Sequence, residues 1–319
     1  MPDTKSASLI DTHHHVMPDY YVEAIGLQTI AGQSAAGRVP HWSVEGSLAF
    51  MYEVGIDRAF MSISSPGMFG LEASVASAMT SRCNDHMAEL AAAHPQRLRW
   101  YAYLHLPDVA AAVAEVRRAS ALGASAFGVL SNYQGVHIGD PAFWPVLEAI
   151  DQVGGIMHVH PTSPAGFTGV PGISVSTLEF PFESIRAIMS VLANGTASRF
   201  PAIRFVWSHA GGGVSAIAGR AAVLSDRHAT FIDKGDKLVE MLGRFYFDLT
   251  QSTHPAALQA LRTIVPDTQL FYGSDAPFAA AAMAMRAATE LDAVAGSGFA
   301  AQTTANAERL FGWDKGASA

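Results

Sequence analysis

Apolar positions along this chain fall into two alternating rhythms. Short, almost continuous apolar runs of four to eight residues are separated by longer stretches in which apolar side chains return every three or four positions. The first rhythm is that of a strand buried on both faces and the second that of an amphipathic helix. Eight runs qualify as strands: 7–10, 57–64, 98–104, 125–130, 155–160, 203–209, 244–250 and 268–275. Helical spacing fills the intervals, over 20–29, 43–53, 71–93, 108–122, 140–153 and 182–194, with an Ala-rich helix over 278–288. Punctuation supports these limits: Ser43 and Asp108 stand at N-cap positions, Pro141 at a first helical position, and Gly123 and Gly154 where helices stop.

Strand–helix units repeated eight times predict a (β/α)8 TIM barrel, a single domain over 1–319, rather than an open doubly wound sheet. One connection is too long for its place. Residues 17–45, after the first strand, include a Gly/Ser/Ala segment at 31–37 and are expected to form a lid or insertion.

With 319 residues, half of them apolar, the chain is long enough for one large core. A net charge of −8 without a Lys/Arg cluster argues against nucleic acid or an anionic membrane as partner. The single cysteine, Cys83, rules out an intrachain disulfide and a thiolate metal cluster and fits a reducing compartment. No apolar run reaches the ~18 residues of a membrane span, so a soluble, cytoplasmic protein is expected.

Chemistry gathers at the strand ends. His13 and His15 share one side of the first strand and His14 points away, because side chains alternate along a strand. An affinity-tag remnant is the bland alternative, but these histidines follow an aspartate and a strand signal inside the pattern. His158 and His160 end the fifth strand, His209 the sixth and Asp275 the eighth. In a barrel those carboxyl ends open on one face, where active sites are built. Neutral imidazoles and a carboxylate are the donors zinc, and less commonly manganese or iron, takes at catalytic centres. His13, His15, His160 and Asp275 are therefore the expected ligands of one divalent metal. His158, one layer lower, suits a supporting or core role as well as ligation. His209 precedes a glycine triplet that lets backbone approach a ligand closely and is read as the general acid/base; its alternative is a satisfied core histidine. Asp275 has a competing role as the cap of the following helix.

The motifs DTHHH (11–15), HVHP (158–161), SHAGGG (208–213), YGSDAPF (272–278) and NAERLFG (306–312) occur together in an order that resembles the amidohydrolase-related decarboxylases. The chain looks most like the branch typified by aminocarboxymuconate-semialdehyde decarboxylase, near the 6-methylsalicylate and γ-resorcylate decarboxylases. That resemblance implies ligation by the four residues named, proton transfer by His209, one Zn2+ or Mn2+, non-oxidative loss of carbon dioxide from a small hydroxy-aromatic or dienic carboxylic acid, and a homodimer or higher homo-oligomer. Departures matter. The lysine ligand after the fourth strand, which bridges two metals in hydrolytic relatives, has no counterpart, favouring one metal. A substrate-gripping arginine of the muconate enzyme falls near Ser47. An arginine donated across its dimer interface falls near Arg227, while Arg220 aligns with a family arginine and Arg38 is a further candidate. Phe167, Phe180 and Phe278 are placed to sandwich an aromatic ring. The rival readings are a hydrolase of a lactone or amide using Asp275 as base, a hydratase, and a non-enzymatic metal-binding protein.

Overall fold

A computed structural model describes residues 8–166 and 169–313. Eight strands, β1 (Leu9–His15), β2 (Ile56–Ser62), β3 (Leu98–Tyr103), β4 (Ala126–Leu130), β5 (Ile156–His160), β6 (Arg204–Trp207), β7 (Tyr246–Asp248) and β8 (Leu270–Phe271), pair in sequence order, every pair parallel. Backbone hydrogen bonds close the ring between its two ends. Thr12 N–H donates to the Tyr272 carbonyl at 3.0 Å, Asp275 N–H to His13 at 2.9 Å and His15 N–H to Ala276 at 2.7 Å. The result is the expected (β/α)8 barrel.

Both faces of the strands are covered, which is why their sequences read as continuous apolar runs rather than alternating ones. Outside, Met51, Cys83, Met87, Val116, Leu147, Ile188 and Leu192 fill the layer between strands and helices. Inside, Ile10, Phe60, Tyr101, Ile156, Val206 and Phe271 fill the floor, and the last helix (Phe299–Phe311) seals it with Phe311 and Trp313. Phe60 packs on Phe311 with ring centroids 4.3 Å apart. Arg58 and Arg99 lie over the Trp313 ring, and Arg99 donates to the Phe311 and Gly312 carbonyls, satisfying the helix end.

Several element limits differ from the sequence reading for local reasons. The helix expected at 20–29 is two, Asp19–Ile25 and Leu27–Ala31, broken at Gly26 with φ 90°. The helix expected from 182 begins at Val175, carries Pro181 inside it, and is capped by Ser174 Oγ accepting from Thr177 N–H. β1 runs through the histidines, which stand at its end as expected. Its pairing with β2 shifts between Asp11 and His14, the signature of a bulge. The extra residue lets Ile10 face the floor while His13 and His15, of opposite parity, also face inward.

Candidate metal centre

Above the apolar floor the same strands turn polar. His13 Nε2 and His15 Nε2 stand 2.9 Å apart, and Asp275 Oδ1 lies 3.6 Å from the first and 3.3 Å from the second. With His160 they form a group whose donor atoms all lie within 4.8 Å of one another. The other nitrogen of each ring is engaged elsewhere. His13 Nδ1–H donates to Asp248 at 3.0 Å, His15 Nδ1 pairs with Ser62 Oγ at 3.0 Å, and His160 Nδ1–H donates to the Pro161 carbonyl at 2.7 Å. That assignment leaves each Nε2 as a bare lone pair aimed at a common point, the arrangement a divalent cation requires and two facing lone pairs alone would resist. The donor set therefore fits one metal ion.

Burial keeps the His13 and His160 rings unprotonated. It pushes His13 down to about 4, against the partial opposing effect of Asp248. His160 falls well below its usual range through burial first and the neighbouring histidines second. Burial alone would raise the two carboxylates. The His13 and His158 contacts instead hold Asp248 well below the usual range, and His15 and His13 lower Asp275.

Asp248 is the residue the sequence reading missed. Fully buried, it binds His13 Nδ1 and His158 Nε2 (3.2 Å) through one oxygen and accepts the His209 and Thr250 N–H groups at 3.0 and 3.1 Å through the other. The signal was a lone acid at the end of the apolar run RFYFDLT, at a strand's carboxyl end. His158 lies one layer down, between Asp248 and Ser208 Oγ (3.3 Å), and supports the carboxylate that orients His13. His14 faces outward between Asp11 and Ser47, each at 3.0 Å. Thus the serine standing where a substrate arginine was sought anchors β1.

His209 stands beside the cluster, its ring centroid 4.8 Å from His13 and 5.7 Å from His160. Its Nδ1–H donates to the Thr250 carbonyl at 3.2 Å, so Nε2 is the nitrogen left for other chemistry. It opens a left-handed run, with φ 52° at His209 and 54° at Ala210, a conformation non-glycine residues rarely hold without support. Packing requires glycine at two positions of the triplet, 211 and 212. A Cβ on Gly212 would come within 2.0 Å of the Pro181 carbonyl, so the turn lies flush against the helix behind it. Glycine is needed at 273 too, where a Cβ would meet Thr250 Oγ1 at 2.0 Å and His13 Cβ at 2.8 Å.

The cleft above has an empty volume of about 480 Å3 and is lined by His160, His209, Asp275, Phe180, Phe278 and small polar residues, including Gln33 and Ser34 from the 17–45 segment. Gln251 Nε2–H donates to Asp275 Oδ2 at 2.8 Å, turning Oδ1 to the histidines. Asp275 caps no helix: the next one begins at Ala281, and the Asp275 side chain is spent on the cluster. Phe180 and Phe278 come together as expected, and Phe167 lies outside the described residues. The three arginines do not join them. Arg38 is exposed in its loop, and Arg220 and Arg227 are exposed on and just after the helix Ser215–Ser225. None lines the cleft of a single chain.

The amidohydrolase family model matches residues 10–313. The chain belongs to the amidohydrolase family. Among curated relatives, decarboxylase yanB of Aspergillus niger is 33% identical over 287 residues, covering 85% of this chain and 77% of its own. The 6-methylsalicylic acid decarboxylase of Penicillium expansum is 30% identical, with 84% of each chain covered. A solved structure of 5-carboxyvanillate decarboxylase from Novosphingobium aromaticivorans, with bound manganese, superposes with a TM-score of 0.84 over 98% of this chain and 99% of its own at 18% identity, a likeness of fold. The resemblance drawn from five short motifs thus extends along almost the whole amidohydrolase chain.

Proposed function

We propose that this amidohydrolase is a metal-dependent, non-oxidative decarboxylase of a small hydroxy-aromatic acid. The observation that carries the reading is a histidine outside the ligand set, His209, held by its Nδ1–H and backbone N–H so that Nε2 faces the cleft beside His13 and His160. A hydrolase needs a base for water, whereas decarboxylation needs a proton placed on carbon, and a fixed imidazole outside the ligand set suits the second task.

His13, His15, His160 and Asp275 would hold the ion. When bound it supplies positive charge that orients the substrate carboxylate and an adjacent oxygen. Among the described residues no lysine or arginine lines the cleft to do this instead. Phe180 and Phe278 bracket the ring and exclude water. His209 delivers a proton from Nε2 to the ring carbon bearing the carboxylate. The bond to the carboxylate then breaks, its electron pair returns to the ring, and carbon dioxide leaves. Gln251 fixes Asp275 throughout.

Three imidazoles and one carboxylate are a donor set zinc takes readily, and the manganese of the carboxyvanillate enzyme supports the alternative ion. We include a homodimer in the proposal, with Arg227 and Arg220 as this chain's candidates to reach a neighbouring site, and the 17–45 segment as a lid. No helix among the described residues is long and apolar enough to cross a membrane. The test pairs elemental analysis of the purified protein with carbon dioxide release from a panel of hydroxybenzoates, set against cleavage of aryl lactones and esters. One equivalent of zinc or manganese and carbon dioxide release are expected. Lactone or ester cleavage with no carbon dioxide from any acid overturns the reading. Light scattering decides the dimer.

A further inference from the structure

A second cavity adjoins the metal cleft, with a volume of about 460 Å3. Gln33 lines both. Between them stands a thin polar wall. Gln33 Oε1 accepts from Ser65 Oγ at 3.0 Å and Ser163 Oγ at 2.7 Å, and Ser65 Oγ shares a hydrogen bond with Thr162 Oγ1 at 2.7 Å. Three connections, after β1, β2 and β5, thus meet on one amide oxygen.

Each chamber carries one carboxylate, Asp275 or Glu72, and among the described residues no lysine or arginine lines either, so they would differ in charge once an ion is held in the first. The second is walled by apolar side chains, among them Met68, Leu71, Pro107 and Leu130. A carboxylate entering it would lose water and gain no cation, which is costly. One polar atom of a residue on its wall, His105 Nδ1, is buried without a hydrogen-bond partner, whereas the Tyr103 hydroxyl lies against Tyr133 and the Met68 backbone. Buried polar groups are ordinarily satisfied, so such an atom points to a ligand hydroxyl or ordered water.

We propose that this cavity binds a neutral hydroxyarene, its ring against Met68, Leu71 and Leu130 and its hydroxyl on His105 Nδ1. Gln33 is the partition separating it from the anionic substrate's cleft. Loss of carbon dioxide from a hydroxy-aromatic acid yields a molecule of this class, so the inference extends the decarboxylase reading; it is nevertheless tested by binding alone, and a chain that releases no carbon dioxide can still pass.

The experiment titrates 3-methylphenol into the full, metal-loaded chain by calorimetry and locates 4-bromo-3-methylphenol in crystals by anomalous scattering. The expected result is bromine in the second cavity, with 3-methylbenzoate absent from it. Leu71→Trp, which fills half-buried space without touching the metal cleft, is expected to weaken 3-methylphenol binding at least about tenfold while leaving carbon dioxide release unchanged. Ala73→Leu on the same wall provides a second, milder block. Bromine confined to the metal cleft, binding unaltered in both variants, or 3-methylbenzoate occupying the second cavity equally overturns the proposal.

Discussion

The floor and the mouth of the barrel are built from the same strands, yet they are opposites. At the floor Phe60, Tyr101, Phe271, Phe311 and Trp313 interlock, with charge confined to its rim, where Arg58 and Arg99 stack on Trp313 and Arg58 pairs with Glu308. A few residues further along each strand, the inward positions carry His13, His15, His158, His160, Asp248 and Asp275. Packing is satisfied at one end by shape, and at the other by hydrogen bonds that leave lone pairs facing inward. The lesson is that one scaffold spends its hydrophobic energy below so that it can hold closely spaced donors above, where mutual repulsion opposes folding.

Substitutions at the two ends should therefore separate stability from turnover. His209→Asn at the mouth is expected to lower kcat by about 10²–10⁴-fold, the range for loss of a general acid. Metal content by elemental analysis and the thermal midpoint should stay near those of the parent. Phe60→Ala at the floor should do the reverse. It costs about 3–5 kcal/mol in denaturant unfolding by opening a cavity beneath Phe311, with kcat per folded molecule preserved. If Phe60→Ala abolishes turnover in protein that remains folded, the two ends are coupled and the division fails.

Acid sharpens the contrast. Because burial lowers His13 from 6.5 to about 4, the unfolded chain takes up a proton at this site before the folded chain does. Its stabilising contribution is complete above pH 6.5 and is lost as pH falls towards 4, about 3 kcal/mol in all for the metal-free chain. Urea midpoints measured across that window should fall with pH, and His13→Gln should flatten the profile. A smaller effect is expected of Asp248→Asn. Deprived of the carboxylate that fixes its tautomer, His13 should bind the ion about 10–100-fold more weakly in a chelator competition, with the floor unaffected.

Much of this was legible before any coordinates, because a strand buried on both faces leaves a compact apolar signature and a barrel fixes where its ends lie. The four converging donor residues followed from that alone. Asp248 did not, since its role depends on reaching across to β1 and β5, and a single acid in an apolar run has no spacing partner to mark it. The packing role of Gly212 was hidden for the same reason: it lies against Pro181, on a helix whose start at Val175 the loop-like composition conceals. The bulge in β1 was equally hidden, since it shows only in the register against β2.

The seam where β1 meets the segment after β8 carries His13 and His15 on one side and Asp275 on the other, zipped by three backbone hydrogen bonds. A growing polypeptide must therefore wait for the segment after β8 before all four donors can meet. Metal capture would then signal that the ring has closed, and a chain truncated before Tyr272 would own all three imidazoles yet no finished cage.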